Sequence, residues 1–303
     1  MAEHTNTRAL SLSFFNAFKN GELTTLLETV KNDPSLIMCF RGESTMVYYR
    51  GLLMLTIKQS PVKKSISFKE VDNDYYKEYK ITNHPSLDCD WMEYFKEAKH
   101  KIDMHCINKP CLEKEIQQIM FRENSCNSIA DETDYFIFDV EYAHNDARFD
   151  ALAMYWAKDD RSKYLAKNLK FAIIELKAGN GAIKGKAGLS KHFNDVKKFI
   201  NQTVDDNFLE DRATVFAQML DLKLINTKAK PERLALDENA KPSKFKLKKN
   251  DIQFIFALAN FNCNSEILKD IKFDIKDVPF KTYFAKSPFL GYGLYEKCLV
   301  SVK

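Results

Sequence analysis

Three charged residues near the ends of two neighbouring apolar segments have side chains that suit metal chemistry. Glu175 and Lys177 end the segment "FAIIELK", in which four apolar residues precede the acid. Asp150 stands early in "RFDALAMYW", the apolar segment that comes before it. Because side chains alternate between the two faces of a strand, Glu175 and Lys177 point the same way. If the two segments are neighbouring strands of a hairpin, Asp150 and Glu175 lie within a few ångströms of each other.

Two carboxylates that lie this close repel each other, and a divalent cation between them removes the repulsion. Mg²⁺ prefers carboxylate oxygens and water as ligands. The ammonium group of Lys177 could then orient the attacking water or help to deprotonate it. The pattern of an acid, any residue and Lys carries little information alone, because it occurs six other times in the chain. A surface ion pair, where a strand emerges into solvent, is therefore the alternative interpretation.

The segments that carry these residues predict a mixed sheet flanked by helices, an α/β (α+β) fold. Periodicity and composition predict a helix, three strands, a second helix and a returning strand over residues 111–124, 134–143, 147–157, 169–178, 188–202 and 251–261. Ser190 is expected to cap its helix. Asp139 and Glu141 are expected to be solvated, with an extension of the acidic cluster as the alternative. The remaining predictions are a helix, a basic loop or hairpin, a short helix and a last strand over 213–224, 228–250, 265–271 and the C-terminal tail.

Residues 1–110 predict an additional N-terminal α+β region, for which substrate selection and partner contact are both open roles. A helix or helical pair with a break at Gly21, followed by three strands, is expected over 14–33, 35–42, 45–59 and 64–71. A soft boundary near residues 108–111 separates this region from residues 111–303.

Four segments together carry a resemblance to a known family: "EKEIQQIM" (113–120), "RFDALAM" (148–154), "IIELKAG" (173–179) and "GLSKHFNDVKKF" (188–199). They resemble the PD-(D/E)xK nuclease superfamily, whose fold is called restriction-endonuclease-like. The first acid of the family matches Asp150, in "RFD" rather than "PD". The glutamate on the family's first helix matches Glu113, with Glu115 as the alternative. The resemblance covers under half of the chain, and residues 1–110 lie outside it.

The resemblance implies a Mg²⁺ site, in which Mn²⁺ can substitute, formed by Asp150, Glu175 and the backbone carbonyl of Leu176. It implies that Lys177 positions the attacking water and that Glu113 orients this group or binds a second metal. The expected reaction is metal-dependent hydrolysis of a phosphodiester bond by in-line attack. That reaction is very slow without a catalyst, so charge stabilisation must supply most of the acceleration.

A glycine-rich basic loop follows the proposed metal ligands and is expected to bind nucleic acid. Residues 161–200 contain ten Lys and Arg but only two acids, a net charge of +8. Glycines let the backbone approach a phosphate closely, and lysines can pair with it. The contacts expected in this region are Lys184, Lys186, Lys191 and His192. For His192, contact with the metal ligands and a packed or capping role are the alternatives. A flexible connection is the alternative for the loop. The resemblance favours DNA over RNA as the substrate.

Length and composition limit the classes of protein that remain. The 303 residues contain no apolar run long enough for a membrane span, and the polar start predicts no secretory signal. Seven scattered cysteines, an odd number, favour thiols in a reducing cytoplasm. The resemblance suggests a role in bacterial DNA defence or processing, alone, as a homo-oligomer or with a partner protein. The alternatives are a catalytically inactive nucleic-acid-binding module and a protein-interaction module with the same fold.

Overall fold

The protein has a mixed α+β architecture with two β-sheets. A computed structural model describes residues 7–145, 147–163, 165–185, 188–229, 231–242, 245–262, 264–276, 278–287 and 291–302. Within these ranges the chain forms seven α-helices and ten strands.

The N-terminal region contains the first sheet, which is antiparallel throughout and has strand order β1-β2-β3-β4. Its elements are α1 (Leu12–Asn20), α2 (Thr24–Asn32), β1 (Leu36–Phe40), β2 (Ser44–Tyr49), β3 (Leu52–Gln59), β4 (Ile66–Lys69) and α3 (Trp91–Asn108). The predicted helical pair is confirmed, with Gly21 at its break. The single strand predicted over 45–59 is wrong, because the chain turns at Arg50 and Gly51 to form a hairpin. Helix α3 was not predicted.

The second sheet has six strands in the order β10-β9-β8-β7-β6-β5. Its region comprises α4 (Leu112–Ser125), β5 (Tyr135–His144), β6 (Ala147–Tyr155), α5 (Lys158–Arg161), β7 (Lys170–Ala178), α6 (Leu189–Gln202), α7 (Asp206–Asp221), β8 (Gln253–Ala259), β9 (Lys281–Ser287) and β10 (Val300–Ser301). Strands β5, β6 and β7 are antiparallel neighbours, whereas β8 is parallel to β7 and β9 is parallel to β8. A mixed sheet is therefore confirmed.

Helices cover both faces of the central strand β7. Phe171 packs against Phe208 of α7, with ring centroids 5.7 Å apart, and the same face of the strand meets α6. Leu176 has the opposite parity in the strand, so it lies on the other face, where Met120 of α4 lines the same small cavity. Strand β7 thus lies between α4 on one side and α6 with α7 on the other.

A buried ion pair joins the two regions. The Arg41 guanidinium, between β1 and β2, donates hydrogen bonds to the carboxylate of Asp139 and to the carbonyl of Val140, both on β5. Asp139 is 2% exposed, so the expectation that it is solvated is wrong. Buried apolar side chains of both regions form one continuous core. The boundary near 108–111 stays a prediction, although α3 ends and α4 begins on either side of it.

Smaller differences from the predictions lie outside the central sheet. Gly188, not Ser190, occupies the N-cap of α6, and no side chain caps that helix. The segment 228–250 contains a 3₁₀ turn and an isolated bridge between Leu236 and Pro242, and 265–271 contains another 3₁₀ turn. Strand β9 was not predicted. In the part of the chain that the structure describes, no helix has the length and apolar character needed to cross a membrane.

Candidate active site

The candidate site lies where β6 and β7 stop pairing through their backbones. The last paired residues are Ala151 and Ile174, and one further step in the same register would bring Asp150 opposite Glu175. At this step the side chain of Asp150 replaces a backbone acceptor. Its Oδ2 accepts a hydrogen bond of 2.7 Å from the backbone N–H of Leu176. The two acids therefore come together on neighbouring strands.

Glu175 and Lys177 form a buried pair on the face of β7 that meets α6. The two residues are 3% and 8% exposed, and the distance from Lys177 Nζ to Glu175 Oε1 is 2.7 Å. His192, in the first turn of α6, approaches the same Oε1 with its Nδ1 at 3.1 Å. One oxygen of Glu175 is thus held by two neighbours. The structure places His192 against this carboxylate, whereas the sequence suggests that it contacts nucleic acid.

Helix α4 reaches the same site from the other face of the sheet. Gln117 Nε2 donates a hydrogen bond to the backbone carbonyl of Asp150 and fixes the strand at that residue. Glu113, one turn earlier, lies near enough for its charge to raise the pKa of Asp150 and of Glu175. Glu115 instead pairs with Arg50 of the N-terminal sheet at 2.5 Å. The structure therefore brings Glu113, of the two alternatives, into electrostatic contact with the two acids.

The charges of the site are unbalanced. Burial raises the pKa of Glu175 to about 8, and the neighbouring charge of Asp150 adds to the increase. Burial also raises the pKa of Asp150 to about 6, against the effect of its hydrogen bond from Leu176. Burial alone would lower the pKa of Lys177, but the surrounding carboxylates raise it. One ammonium group therefore faces more negative charge than it can neutralise.

The donor groups fit a Mg²⁺ ion. In an antiparallel pair, a residue that directs its N–H toward the neighbouring strand directs its carbonyl the same way, so the Leu176 carbonyl lies at the edge that Asp150 occupies. Mg²⁺ usually takes one or two carboxylates and keeps several waters. Among the described residues, no group of three or more His, Cys, Asp or Glu side chains is arranged to hold a metal ion. The available set is two carboxylates and a carbonyl, which suits Mg²⁺ better than a metal that needs a complete protein cage.

The lysines predicted to bind nucleic acid lie on the surface in ion pairs with nearby acids. Lys184 pairs with Asp270 at 2.8 Å, and Lys191 pairs with Asp195 at 2.5 Å one helical turn away. Lys186 lies outside the described residues. Phosphate contacts by Lys184 and Lys191 would therefore replace weak internal pairs, which cost little to break because they are exposed.

The strand before Asp150 contributes an acid of unusual conformation. Glu141 on β5 has φ 52°, a left-handed conformation that is rare for residues other than glycine. Its neighbours Val140 and Tyr142 pair with Ala151 and Phe149, so the register places Glu141 across from Asp150. Its charge raises the pKa of Asp150, and it also lies 3.6 Å from Lys114.

Sequence reasoning missed Gln117 as a member of the site. The sequence predicts that Leu112, Ile116, Ile119 and Met120 form the apolar stripe of this helix. Leu112 is 56% exposed, however, whereas the polar Gln117 is buried. A polar residue beside an apolar stripe could have indicated a buried hydrogen bond, but not its partner. A cavity of about 850 Å³ is lined by residues such as Ser11, Asp211 and Lys241, and the acids of the site do not line it.

Comparison of the chain with models of protein families, with curated proteins and with solved structures finds no match. The functional argument therefore depends on the residues of this chain.

Proposed function

We propose that the chain is a metal-dependent nuclease with a restriction-endonuclease-like fold, which hydrolyses phosphodiester bonds in nucleic acid, with DNA as the favoured substrate. The order of α4, β5, β6, β7, α6 and β8 supports this fold, because the core of the family that the chain resembles is a helix, three strands, a helix and a further strand. The same resemblance favours a role in bacterial DNA defence or processing.

A single observation carries the proposal: the paired strands end where two carboxylates meet one ammonium group. Asp150 is held by the backbone of the neighbouring strand, and Glu175 is held by Lys177. Burial is the main cause that raises the pKa of each acid, and neighbouring carboxylates raise it further, so a cation at this point would stabilise the ionised forms. A strongly perturbed group beside a specific charged partner is typical of functional sites. A surface ion pair, the alternative interpretation, does not fit residues as buried as Glu175 and Lys177.

Asp150, Glu175 and the carbonyl of Leu176 would hold the Mg²⁺ ion. When bound, the ion would supply charge neutralisation and Lewis-acid polarisation of the phosphate. It would also remove the repulsion between the two carboxylates.

The side chains around the two acids have separate roles. Lys177 remains protonated because the carboxylates raise its pKa, so it acts as a hydrogen-bond donor that orients the attacking water and stabilises charge on the phosphate. His192 shares Oε1 of Glu175 with Lys177 and keeps that oxygen in place. The side chain of Glu113 on α4 is exposed, so it can orient water at the same edge of the sheet. Lys184 and Lys191 contact the phosphate backbone and carry no sequence specificity.

Cleavage assays test this proposal. Plasmid, linear duplex DNA, single-stranded DNA and RNA are each incubated with the protein, with and without Mg²⁺ or Mn²⁺. We expect metal-dependent cleavage that Lys177→Ala abolishes and that Lys96→Ala, an exposed lysine paired with Glu93 on α3, retains as the control. Equal cleavage by wild type and Lys177→Ala would point to a contaminating nuclease. Binding of nucleic acid without cleavage by the wild-type protein would favour the inactive binding module instead.

A further inference from the structure

The tip of the β2–β3 hairpin is held in an unusual backbone conformation. Arg50 and Gly51 have φ values of 52° and 71°, both in the left-handed region. Glycine adopts this conformation without cost, but for arginine it is strained and persists only where surrounding contacts fix it. These contacts come from α4, the helix that carries Glu113, and from Asp103 of α3.

Gly51 lies directly against the first turns of α4. Its N–H donates a hydrogen bond of 2.6 Å to Gln118 Oε1. A Cβ atom at this position would lie 2.4 Å from the backbone carbonyl oxygen of Lys114. Only glycine therefore allows the hairpin tip to approach the helix this closely.

The Arg50 guanidinium connects the same helix to the rest of the N-terminal region. It donates to Glu115 on α4 through Nε at 3.1 Å and a terminal nitrogen at 2.5 Å, and to Asp103 on α3 at 2.9 Å. Helix α4 begins at Leu112 without a side-chain cap from its N-cap residue, Cys111. The position of its first turn thus depends on tertiary contacts, among them the ion pairs of Glu115 with Arg50 and of Lys114 with Glu141.

The other side of these turns faces the two acids. Gln117 holds the backbone of Asp150, and Glu113 acts on the charges of Asp150 and Glu175. A small shift of the helix would therefore move a carboxylate and a hydrogen bond of the site together. Removing a group that orients the ligands of a metal commonly lowers the affinity for that metal by roughly 10- to 100-fold.

We propose that Arg50 is a positioning residue for the nuclease site: with Gly51 it fixes the first turns of α4, and so sets Glu113 and Gln117 against Asp150. The inference rests on the proposed function and assigns a role to the N-terminal region. That region maintains the geometry of a site to which its own sheet contributes no ligand.

Two measurements on the full chain test the inference, both without nucleic acid. Calorimetric titration with Mg²⁺ gives the metal affinity, and hydrogen exchange gives the protection of the Leu176 amide, whose partner is the Asp150 carboxylate. Arg50→Ala is expected to weaken Mg²⁺ binding by roughly tenfold or more. It should also speed exchange at Leu176 several-fold. For Arg50→Lys, the Mg²⁺ affinity and the Leu176 exchange rate should lie between those of the wild type and Arg50→Ala. A lysine lacks the planar fork with which arginine contacts both carboxylates.

Lys99→Ala is the matched control, since Lys99 of α3 pairs with Asp33 within the N-terminal region at comparable exposure. Metal affinity and Leu176 exchange that match between Arg50→Ala and Lys99→Ala would overturn the inference. If the wild-type protein binds no Mg²⁺, the proposed function fails, and the exchange of the Leu176 amide alone decides whether Arg50 positions the site.

A double-mutant cycle with Glu115→Gln separates positioning from a direct role of Glu115. If Arg50 acts through Glu115, the double variant loses no more Mg²⁺ affinity than Arg50→Ala alone. Losses that add in full would show that Glu115 contributes independently and would contradict the inference.

Discussion

Two buried ion pairs lie on the six-stranded sheet, and they differ in how well their charges are matched. Arg41 and Asp139 satisfy each other, and the guanidinium also donates to the carbonyls of Phe40 and Val140. Burial disfavours the charge of Arg41, but the carboxylate of Asp139, together with Cys39 and Tyr48, raises its pKa overall. Lys177, in contrast, faces Glu175 with Asp150 beside it, and both acids have raised pKa values.

The comparison separates a structural role from a functional one. A matched buried pair with further hydrogen bonds connects two parts of a fold, here β1 and β5. An unmatched group of charges costs stability and is retained where a ligand completes it. The first pair thus joins the two regions, whereas the second group is, on our proposal, completed by a cation.

The largest expected effect is on catalysis. Lys177→Met should reduce cleavage by at least about 100-fold, because it removes the ammonium group that orients water and stabilises charge. The variant should remain folded, since Glu175 already has a raised pKa and can take up a proton when its partner is lost. Initial cleavage rates and thermal unfolding of the same sample provide the measurement. If the variant cleaves at near wild-type rates, the Lys177–Glu175 pair has no functional role that distinguishes it from the Arg41–Asp139 pair.

The structural pair should show the largest effect on stability. Arg41→Met leaves Asp139 buried without its cation and should lower the free energy of unfolding by about 3–5 kcal/mol. Adding Asp139→Leu should recover part of that loss, because no charge then remains buried. Urea denaturation of both variants checks this. A loss below about 1 kcal/mol in Arg41→Met would show that the pair does not secure the two regions.

The group formed by Asp150, Glu175 and Lys177 should make the free energy of unfolding depend on pH. An acid whose pKa is raised in the folded state contributes stability that is complete below its unfolded pKa and is lost as the pH rises through the folded value. For Asp150 and Glu175 this loss extends from about pH 4 to pH 8. Glu175→Gln should therefore reduce the fall in unfolding free energy between pH 5 and pH 8 by about 1 kcal/mol or more. An unchanged pH profile would contradict a raised pKa of Glu175 in the folded protein.

The surface pairs should have the smallest effects. Lys184→Met and Lys191→Met should each change the free energy of unfolding by less than about 1 kcal/mol, since exposed pairs contribute little. If either lysine contacts phosphate, its loss should reduce the slope of log affinity against log salt concentration by about 0.9. Binding of a DNA duplex at several salt concentrations measures that slope. An unaltered slope in both variants would remove these lysines from the interface.

Much of the sheet could be predicted because its strands have strong local signals. The apolar runs that became β5, β6 and β7 lie in sequence order, so neighbouring strands could be paired and Asp150 set beside Glu175. Helix α3 has no comparable signal, since its buried Trp91, Tyr94 and Phe95 alternate with charged residues. Strand β9 at 281–287 has a similarly mixed sequence, and its pairing with β8 defines it rather than a local signal.

The details of the site depended on contacts between distant residues. Glu113 and Glu115 are both in the first turn of one helix, and local periodicity barely separates them. Arg50, which pairs with Glu115, comes from a hairpin more than sixty residues earlier. The partner of Asp139 is equally remote, and the hydrogen bond of Gln117 to Asp150 depends on how a helix packs on a strand. None of these pairings is encoded in a short segment.

The most direct measurement is calorimetric titration of Mg²⁺ into the protein at pH 8, without nucleic acid, where the two acids are most ionised. The account predicts saturable binding by the wild type. It predicts a large loss of affinity in Asp150→Asn and in Glu175→Gln, and no change in Lys191→Met. Wild-type protein that shows no saturable binding at millimolar Mg²⁺, or acid variants that bind as tightly as the wild type, would contradict it.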